Sequence, residues 1–339
     1  MFAAESVGFE PTPALAAYTG NLSKALAELG VEVYVVRYPR FGYRNSDLLR
    51  LVVEKIPREV DLIHIQHEYG LYKGLEGGFY GELRHLHPDK PIVTTMHATG
   101  LYGVDPIICS TSDHIIVHNS FCLKRLPKAF HKKASVIPHG CLEPVKCPPE
   151  EECKRALLID PRAPLVGYLG FIAPQKGLET LIEAMAHVRS AALLIGGGWH
   201  VEEETTYITN LKQMTLSLMP GRYRWLGYVP DEQLATVYGA MRILVYPSVY
   251  ISESGALLMA LSHGKAVIAR DLPPVREKAK RGALMTFKNV TDLRRKIKQL
   301  LRDNELRSRL EEGARRYAYE NRWEVAAKKH LSLYWDILG

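Results

Sequence analysis

The sequence predicts an α/β protein made of two doubly wound domains, each built on a parallel sheet. Its 339 residues, of which 47% are hydrophobic, are enough for two domains of ordinary size. Short and almost continuously apolar runs alternate with helical patterns, as they do when strands are buried on both faces of a parallel sheet. A charged, proline-rich stretch at 142–152 has no such period and separates two series of these runs, which indicates a linker.

The first series begins with a helical pattern of leucines that Gly30 ends. A doubly wound domain normally has a strand before its first helix, and residues 1–4 offer only the stub of one. We therefore expect the first strand to be the weakest element of the fold. Further strands are predicted at 31–36, 62–65, 91–96, 114–118 and 134–137.

Four strand ends of the first series carry a histidine in a polar context, namely His67, His97, His118 and His139. The carboxyl ends of parallel strands meet at one edge of the sheet, and ligands bind at that edge in open α/β folds. This placement favours a role in a site, most strongly for His97. A single buried histidine is more often a satisfied core residue than a catalyst, and that alternative stays open for each of the four.

The second series predicts strands at 165–169, 191–195, 242–246 and 266–269, and the first two end in glycine-rich loops. Gly170 and Gly197 lie in these loops, and glycine allows a backbone to approach a ligand closely. Neither loop is a complete phosphate-binding motif. Lys176 is the more informative residue, because it lies just before a predicted helix, where a cation and a helix dipole both favour a diphosphate.

A polar turn at 249–255 follows the strand at 242–246 and precedes a helical run. Its residues Ser252, Glu253, Ser254 and Gly255 occupy the position at which open α/β sheets bind anions at a helix N-terminus. They also suit a helix start without any ligand, since serine is a preferred N-cap and an acid is favoured in the first turn. Both interpretations remain open at this stage.

Composition limits the classes of function. The net charge of +7 arises entirely in residues 151–339, and much of it lies between Lys278 and Arg302. A solvated helix face is the default explanation, and contact with anionic lipid or with a phosphorylated acceptor is the alternative. No aromatic-interleaved basic motif suggests nucleic acid. The sequence has neither a signal peptide nor an apolar run long enough to span a membrane, so we expect a cytoplasmic protein.

The five cysteines, Cys109, Cys122, Cys141, Cys147 and Cys153, have no CxxC spacing. Their odd number and spacing predict neither a disulfide framework nor a zinc site. We expect them to be reduced and to take no part in the chemistry.

A set of short motifs, taken in order, resembles the GT4 family of GT-B glycosyltransferases. These motifs are HIQHEYG (64–70), TTMH (94–97), IPHG (137–140), GYLG (167–170), QKGLETLIEA (175–184), LGYVP (226–230), SGAL (254–257) and GKAVIA (264–269). The resemblance implies two Rossmann-like domains that face each other across a cleft. Residues 1–147 would bind the acceptor, residues 148–320 the nucleotide sugar, and a last helix at 321–339 would pack back on the first domain.

The resemblance also assigns roles to residues. Lys176 matches the family's diphosphate-binding lysine, and His97 matches the histidine that contacts the donor sugar. Gly170, Gly197, Tyr228, Val229 and the turn 252–255 would bind the donor, while His67, His118 and His139 would lie on the acceptor side. Family members retain the configuration of the transferred sugar and use no metal, so no cofactor is expected beyond the nucleoside diphosphate sugar itself.

Two positions depart from the family pattern. Phe171 stands where the family usually has an arginine, which removes one of two cations. The family's two glutamates, which have seven residues between them, would fall on Ile251 and Met259; Glu253 replaces the first if the turn is shifted, and nothing replaces the second.

The sequence therefore predicts a retaining, metal-independent glycosyltransferase that moves a hexose from a nucleoside diphosphate sugar to a sugar, lipid-linked or polyol acceptor. The lost arginine and glutamate favour one alternative, a catalytically silent GT-B protein that binds a nucleotide sugar or supports a partner. A GT-B enzyme of another reaction, such as an epimerase, would need more carboxylates around the sugar.

Overall fold

The structure is a computed structural model that describes residues 2–6, 13–38, 46–72, 74–198 and 205–339. The chain divides into two compact units. Unit 1 comprises Met1–Gly140 together with Asn321–Gly339, and unit 2 comprises Cys141–Glu320.

In the segment of unit 1 that precedes unit 2, the described residues form six strands and six α-helices. In chain order they are β1 (Phe2–Ser6), α1 (Pro13–Ala27), β2 (Tyr34–Tyr38), α2 (Ser46–Glu54), β3 (Ile63–His67), α3 (Tyr69–Tyr72), α4 (Glu76–Leu86), β4 (Ile92–Met96), α5 (Asp105–Thr111), β5 (His114–Val117), α6 (Ser120–Arg125) and β6 (Ala134–Val136). A short 3-10 helix, Lys128–Lys133, precedes β6.

All strand pairs described in unit 1 are parallel. β3, β4, β5 and β6 form a four-stranded sheet in that order, and β1 pairs with β2 from Phe2 opposite Tyr34 to Ser6 opposite Tyr38. β1 also lies against β3. The stub predicted at the start of the sequence forms a five-residue strand. Every residue of β3 and β4 is buried, including the polar residues His64, Gln66, Thr94 and Thr95, because the strands of a parallel sheet are covered on both faces.

The described residues of unit 2 form six strands and eight α-helices. In chain order they are α7 (Glu150–Ala156), β7 (Leu165–Leu169), α8 (Leu178–Ala186), β8 (Ala192–Gly196), α9 (Thr205–Leu218), β9 (Tyr223–Gly227), α10 (Leu234–Ala240), β10 (Ile243–Tyr246), α11 (Gly255–Ser262), β11 (Ala266–Arg270), α12 (Pro273–Lys280), β12 (Met285–Phe287), α13 (Val290–Arg302) and α14 (Asn304–Glu320).

The six strands of unit 2 form one parallel sheet in the order β12-β11-β10-β7-β8-β9. The strand order reverses between β7 and β10, which is the switch point of a doubly wound fold. The prediction of two parallel-sheet α/β domains is confirmed. Because the connections that follow β7 and β10 leave in opposite directions, a crevice for a ligand forms at the carboxyl ends of these two strands.

Two strands of unit 2 were missed in the sequence. β9 is only partly buried, and its alternating Tyr223, Trp225 and Gly227 lack the continuous apolar character of the other strands. β12 lies inside the basic segment 278–302, for which a solvated helix face is the default expectation from the sequence. That segment forms α12, β12 and α13 instead, and Lys278, predicted to be solvated, is only 4% exposed.

The last helix, α15 (Trp323–Leu338), belongs to unit 1 and packs against α1. Ala327 and Tyr334 join Leu22 and Leu26 of α1 in one apolar cluster, which covers a face of the β3–β6 sheet. Trp335, expected to be buried with them, is 65% exposed. Among the described helices, none is both long enough and apolar enough to cross a lipid bilayer.

Candidate functional site

Two loops of unit 2 meet at the switch point of its sheet. The loop after β7 runs through residues 170–177, and the loop after β10 runs through residues 247–254. The Val249 N–H donates to the Gln175 carbonyl at 3.0 Å and joins them directly. Gly177, with φ of 62°, fits closely under the second loop, because a Cβ there would lie 2.8 Å from the Pro247 oxygen. The sheet therefore brings together two segments that the sequence predicted separately.

A second contact joins the glycine loops after β7 and β8. A Cβ on Gly197 would lie 1.7 Å from the Gly170 carbonyl oxygen, so only glycine fits at that position. The Gly197 N–H donates to the Gly227 carbonyl at 2.7 Å and places the start of the next loop beside it. In that loop Tyr228 is 73% exposed and Val229 is buried. Gly170, Gly197, Tyr228 and Val229 thus share one edge of the sheet.

Lys176 ends a one-turn 3-10 helix, Pro174–Lys176, immediately before α8. Its side chain is partly buried, and this burial lowers the pKa of the ammonium group from its ordinary value. No hydrogen bond or ion pair engages it among residues that the structure describes. A partly desolvated cation without a counter-ion attracts an anion strongly, because water no longer screens its charge well.

Arg270 is a second cation at these loops, and the sequence analysis did not single it out. It ends β11, and its guanidinium donates to the Pro247 carbonyl and to the Thr180 hydroxyl, both at 2.9 Å. Burial lowers its pKa from the ordinary value. At the position where an arginine was expected, the Phe171 carbonyl accepts a hydrogen bond from Tyr168 at 2.6 Å. Arg270 therefore adds positive charge beside the loop after β10 and the first turn of α8.

The turn 252–255 leads into α11. The Ser254 hydroxyl accepts a hydrogen bond from the Leu257 N–H at 3.2 Å and caps this helix, while Gly255 is exposed at its first position. A Cβ on Gly255 would meet nothing within 4 Å, so space is open in front of the helix. The first N–H groups of an α-helix have no partner within it, and they remain available to an anion.

Glu253 does not face open space; its side chain is only 7% exposed and pairs with Lys278 at 2.8 Å. Its second carboxylate oxygen accepts from the Ser254 N–H at 2.9 Å. Burial alone would lower the pKa of Lys278, but the attraction of the Glu253 carboxylate outweighs it and raises that pKa. The position of Glu253 thus fits a structural ion pair at least as well as a role as a sugar ligand.

In unit 1, His97 is part of a hydrogen-bonded chain of side chains. Its Nδ1 lies 3.2 Å from Nε2 of His118, and its Nε2 lies 3.0 Å from the Gln66 amide. The other end of that amide is 3.3 Å from Nε2 of His64, whose Nδ1 is 2.7 Å from the Tyr334 hydroxyl. The last helix is therefore connected to the end of β4 by side chains alone.

The protons of this chain can be assigned. His118 Nδ1 must donate to the Ile137 carbonyl at 3.2 Å, so in a neutral ring its Nε2 accepts from His97. The Nε2 atom of His97 is then an acceptor, but it faces the amide oxygen of Gln66, which is also an acceptor. Burial, followed by the nearby histidines, lowers the pKa of His97 well below its ordinary value and disfavours a charged ring. A neutral chain requires the Gln66 amide to be turned over so that its NH2 group donates to His97.

The other predicted histidines differ in their surroundings. His139 is partly exposed and packs with His118 and Trp323 around the ring of Tyr18. His67 is fully buried and stacks on Tyr72 with ring centres 5.0 Å apart. Neither of its ring nitrogens finds a hydrogen-bond partner within the described part of the chain, and burial lowers its pKa to about 3. The placement of His67 gives no support to a role in binding an acceptor.

Comparison with known proteins adds an independent finding. Residues 149–317 match the family model described as glycosyl transferases group 1. The chain is 28% identical over 172 residues to the O-antigen chain mannosyltransferase B of Escherichia coli, across 49% of this chain and 44% of that protein. It is 29% identical over 196 residues to the D-inositol 3-phosphate glycosyltransferase of Corynebacterium efficiens, across 54% of this chain and 45% of that protein. The matched segments span less than half of these relatives.

The same architecture occurs in a solved structure of Anabaena HepE in complex with UDP and glucose. The two superimpose with a TM-score of 0.78 at 15% identity, over 99% of this chain and 98% of that one. At this identity the likeness shows the fold alone. The crevice at β7 and β10, the two cations beside it and the open helix start are the features of this chain on which a function can be argued.

Proposed function

Because the chain belongs to the glycosyl transferases group 1 family through residues 149–317 and has the GT-B fold, we propose that it transfers a sugar from a nucleoside diphosphate sugar to an acceptor. The observation that carries the proposal is the ammonium group of Lys176 at the switch point of unit 2, which forms no ion pair with any residue that the structure describes. An anion that binds there meets this cation, close-packed glycine backbone and the open start of α11 together.

In the proposed reaction the bond between the anomeric carbon and the diphosphate oxygen breaks, and its electron pair leaves with the nucleoside diphosphate. The acceptor hydroxyl oxygen forms the new bond to the anomeric carbon, and its proton passes to the departing diphosphate. Negative charge develops on the diphosphate, where Lys176 and the backbone N–H groups at the start of α11 stabilise it. Arg270 adds positive potential from the neighbouring strand end. These groups supply positive charge, so we propose that the transfer needs no metal ion.

The finer assignments rest on the family resemblance. We propose that the transferred group is a hexose, that its configuration is retained, and that the acceptor is a sugar, a lipid-linked sugar or a polyol. A mannosyltransferase and an inositol phosphate glycosyltransferase among the relatives fit this range. His97 is proposed to act on the donor sugar, and His118 and His139 on the acceptor side. We propose a cytoplasmic protein that contacts anionic lipid through exposed basic residues such as Lys280 and Arg302.

Isothermal titration with UDP, GDP and ADP, and then with their hexose conjugates, tests the proposal. Lys176→Ala should weaken binding of the preferred diphosphate by about tenfold to a hundredfold, the range for one charge-assisted contact, and leave binding of the nucleoside unchanged. Lys298→Ala, on the basic face of α13, is the matched control and should bind as the unaltered protein does.

A turnover assay with and without EDTA completes the test. Sugar release that continues in EDTA is expected. If no nucleotide sugar binds, the proposal is wrong; if one binds and no acceptor or water is ever glycosylated, a silent binding protein replaces it. Equal weakening of nucleoside and nucleoside diphosphate by Lys176→Ala would show that Lys176 is structural.

A further inference from the structure

Unit 2 has a cavity of about 570 Å³ at the amino ends of its central strands. Arg242 and Lys265, which immediately precede β10 and β11, line it, as does the linker around Lys146. The loops that carry Lys176 and Glu253 follow the carboxyl ends of β7 and β10 instead. The cavity is therefore at the opposite edge of the sheet from the proposed donor site, and it is formed within one unit.

The charges that line this cavity do not balance. Five cations, Lys146, Arg242, Lys265, Arg307 and Arg315, face it together with two carboxylates, Glu150 and Glu311. The charge of Glu150 is already neutralised, because Arg242 donates to both of its oxygens at 2.9 Å and Lys154 also pairs with it. Glu311 lies 3.8 Å from Arg307.

Three cations remain. Across the described ranges, the side chains of Lys146, Lys265 and Arg315 have neither a hydrogen bond nor an ion pair. Burial lowers the pKa of Lys265, although the thiol of Cys147 and the two carboxylates act in the other direction. Gly264 makes room for one of the three, because a Cβ there would lie 2.6 Å from a terminal nitrogen of Arg315. The backbone is thus shaped so that Arg315 lies across the start of β11.

We propose that this cavity binds a small, soluble, phosphate-bearing anion. Its volume falls in the range of pockets that hold small ligands. Two ammonium groups and one guanidinium suit phosphate oxygens, since arginine binds them in a bidentate manner and lysine as a point charge. The inference does not depend on the proposed glycosyl transfer, because no residue of the donor site takes part in it.

Isothermal titration with inorganic pyrophosphate tests the site, with Lys176→Ala protein as the background so that the donor site contributes little. Pyrophosphate should still bind, and Lys265→Met or Arg315→Gln in that background should each weaken binding by about tenfold or more. Lys298→Met, which removes a cation from the face of α13, is the matched control and should change nothing. Because Arg315 is exposed, Arg315→Gln should fold normally, so it tests the cavity even if Lys265→Met fails to fold.

Two outcomes would overturn the proposal. If Lys176→Ala abolishes all pyrophosphate binding, or if both cavity variants bind as tightly as the background, the cations only complement the C-terminal end of α11, which also lies here. Co-sedimentation with phosphatidylglycerol vesicles separates a soluble ligand from a lipid headgroup. Sedimentation of the protein with the vesicles should be the same with and without the Lys265 and Arg315 substitutions. Sedimentation that is lost when either residue is replaced would contradict a soluble ligand.

Discussion

Replacing Lys278 by methionine should show whether Glu253 supports the fold or the chemistry. In the protein, the Lys278 ammonium lies 2.8 Å from the Glu253 carboxylate, and the two side chains are only 5% and 7% exposed. Methionine keeps most of the length and apolar stem of lysine and removes the charge. The carboxylate of Glu253 then stays buried without the Lys278 ammonium, while the Ser254 N–H still donates to one of its oxygens.

The magnitude follows from this burial. Removing one partner of a buried pair costs about 3–5 kcal/mol, because the remaining charge stays desolvated. In a domain of this size each kcal/mol lowers the melting temperature by about 2–4 °C, so a decrease of about 10 °C is expected for unit 2. Glu253→Gln should be costly for the same reason, and more so than the roughly 0.3–1 kcal/mol expected of an acid that only interacts with a helix dipole. The double variant Glu253→Gln, Lys278→Met should recover much of the loss.

Differential scanning calorimetry measures these changes, and titration with the nucleotide sugar is done on the variants that fold. Arg276→Met, which breaks an exposed pair with Asp271, is the matched control and should leave the melting temperature almost unchanged. If the double variant melts near the original temperature and binds the sugar donor fully, Glu253 is structural. A folded double variant that binds the nucleoside diphosphate normally but the sugar conjugate weakly would instead make Glu253 a sugar ligand. A melting temperature unchanged by Lys278→Met would refute the buried ion pair itself.

Three further predictions concern other parts of the chain. His97→Ala should lower turnover, measured as kcat, more than nucleotide affinity, measured as Kd, because a contact of His97 with the donor sugar would form mainly near the transition state. A variant with native turnover would show that His97 is only a polar residue at a strand end. Gly197→Ala should abolish nucleotide binding or folding, because its Cβ would lie 1.7 Å from a carbonyl oxygen; a variant with native affinity would contradict the close contact of the two loops. Burial lowers the pKa of His67 to about 3 and of His330 to about 4. The unfolded chain, with a histidine pKa near ~6.5, takes up protons first, so unit 1 should lose about 1.4 kcal/mol per pH unit for each residue as the pH falls from about 6.5 to about 4. Urea unfolding at a series of pH values measures this slope, and a flat profile would exclude neutral buried histidines.

Features that depend on neighbours in the sequence could be predicted well. The apolar run of β7, the glycine that follows it and the lysine before α8 lie within a dozen residues, and local pattern was enough to place them. The helix start at Ser254 could also be predicted from local sequence, because the N–H that its hydroxyl caps belongs to a residue only three positions away.

Features that depend on distant pairs could not be predicted. Lys278 is 25 residues from Glu253, and nothing in a basic segment shows which of its cations will be buried against an acid. His64 and Tyr334 are 270 residues apart and meet only because the chain returns to its first unit. Arg270 gave no local signal either, because its partners are a backbone carbonyl and a threonine hydroxyl rather than a carboxylate. β12, three residues long, is too short to show a period.

The return of α15 to unit 1 has a consequence for the order in which the newly made chain can fold. Unit 2 is continuous in sequence, but one face of the unit 1 sheet is covered by residues of α15, which the ribosome adds after all of unit 2. At translation speeds of about 5–20 residues per second, Leu22 and Leu62 wait for about 15–60 s before Tyr334 emerges. During that interval the first unit exposes apolar surface that chaperones bind, while the later unit can already be native. Unit 2 can therefore complete its fold before unit 1, although unit 1 contains the N-terminal part of the chain.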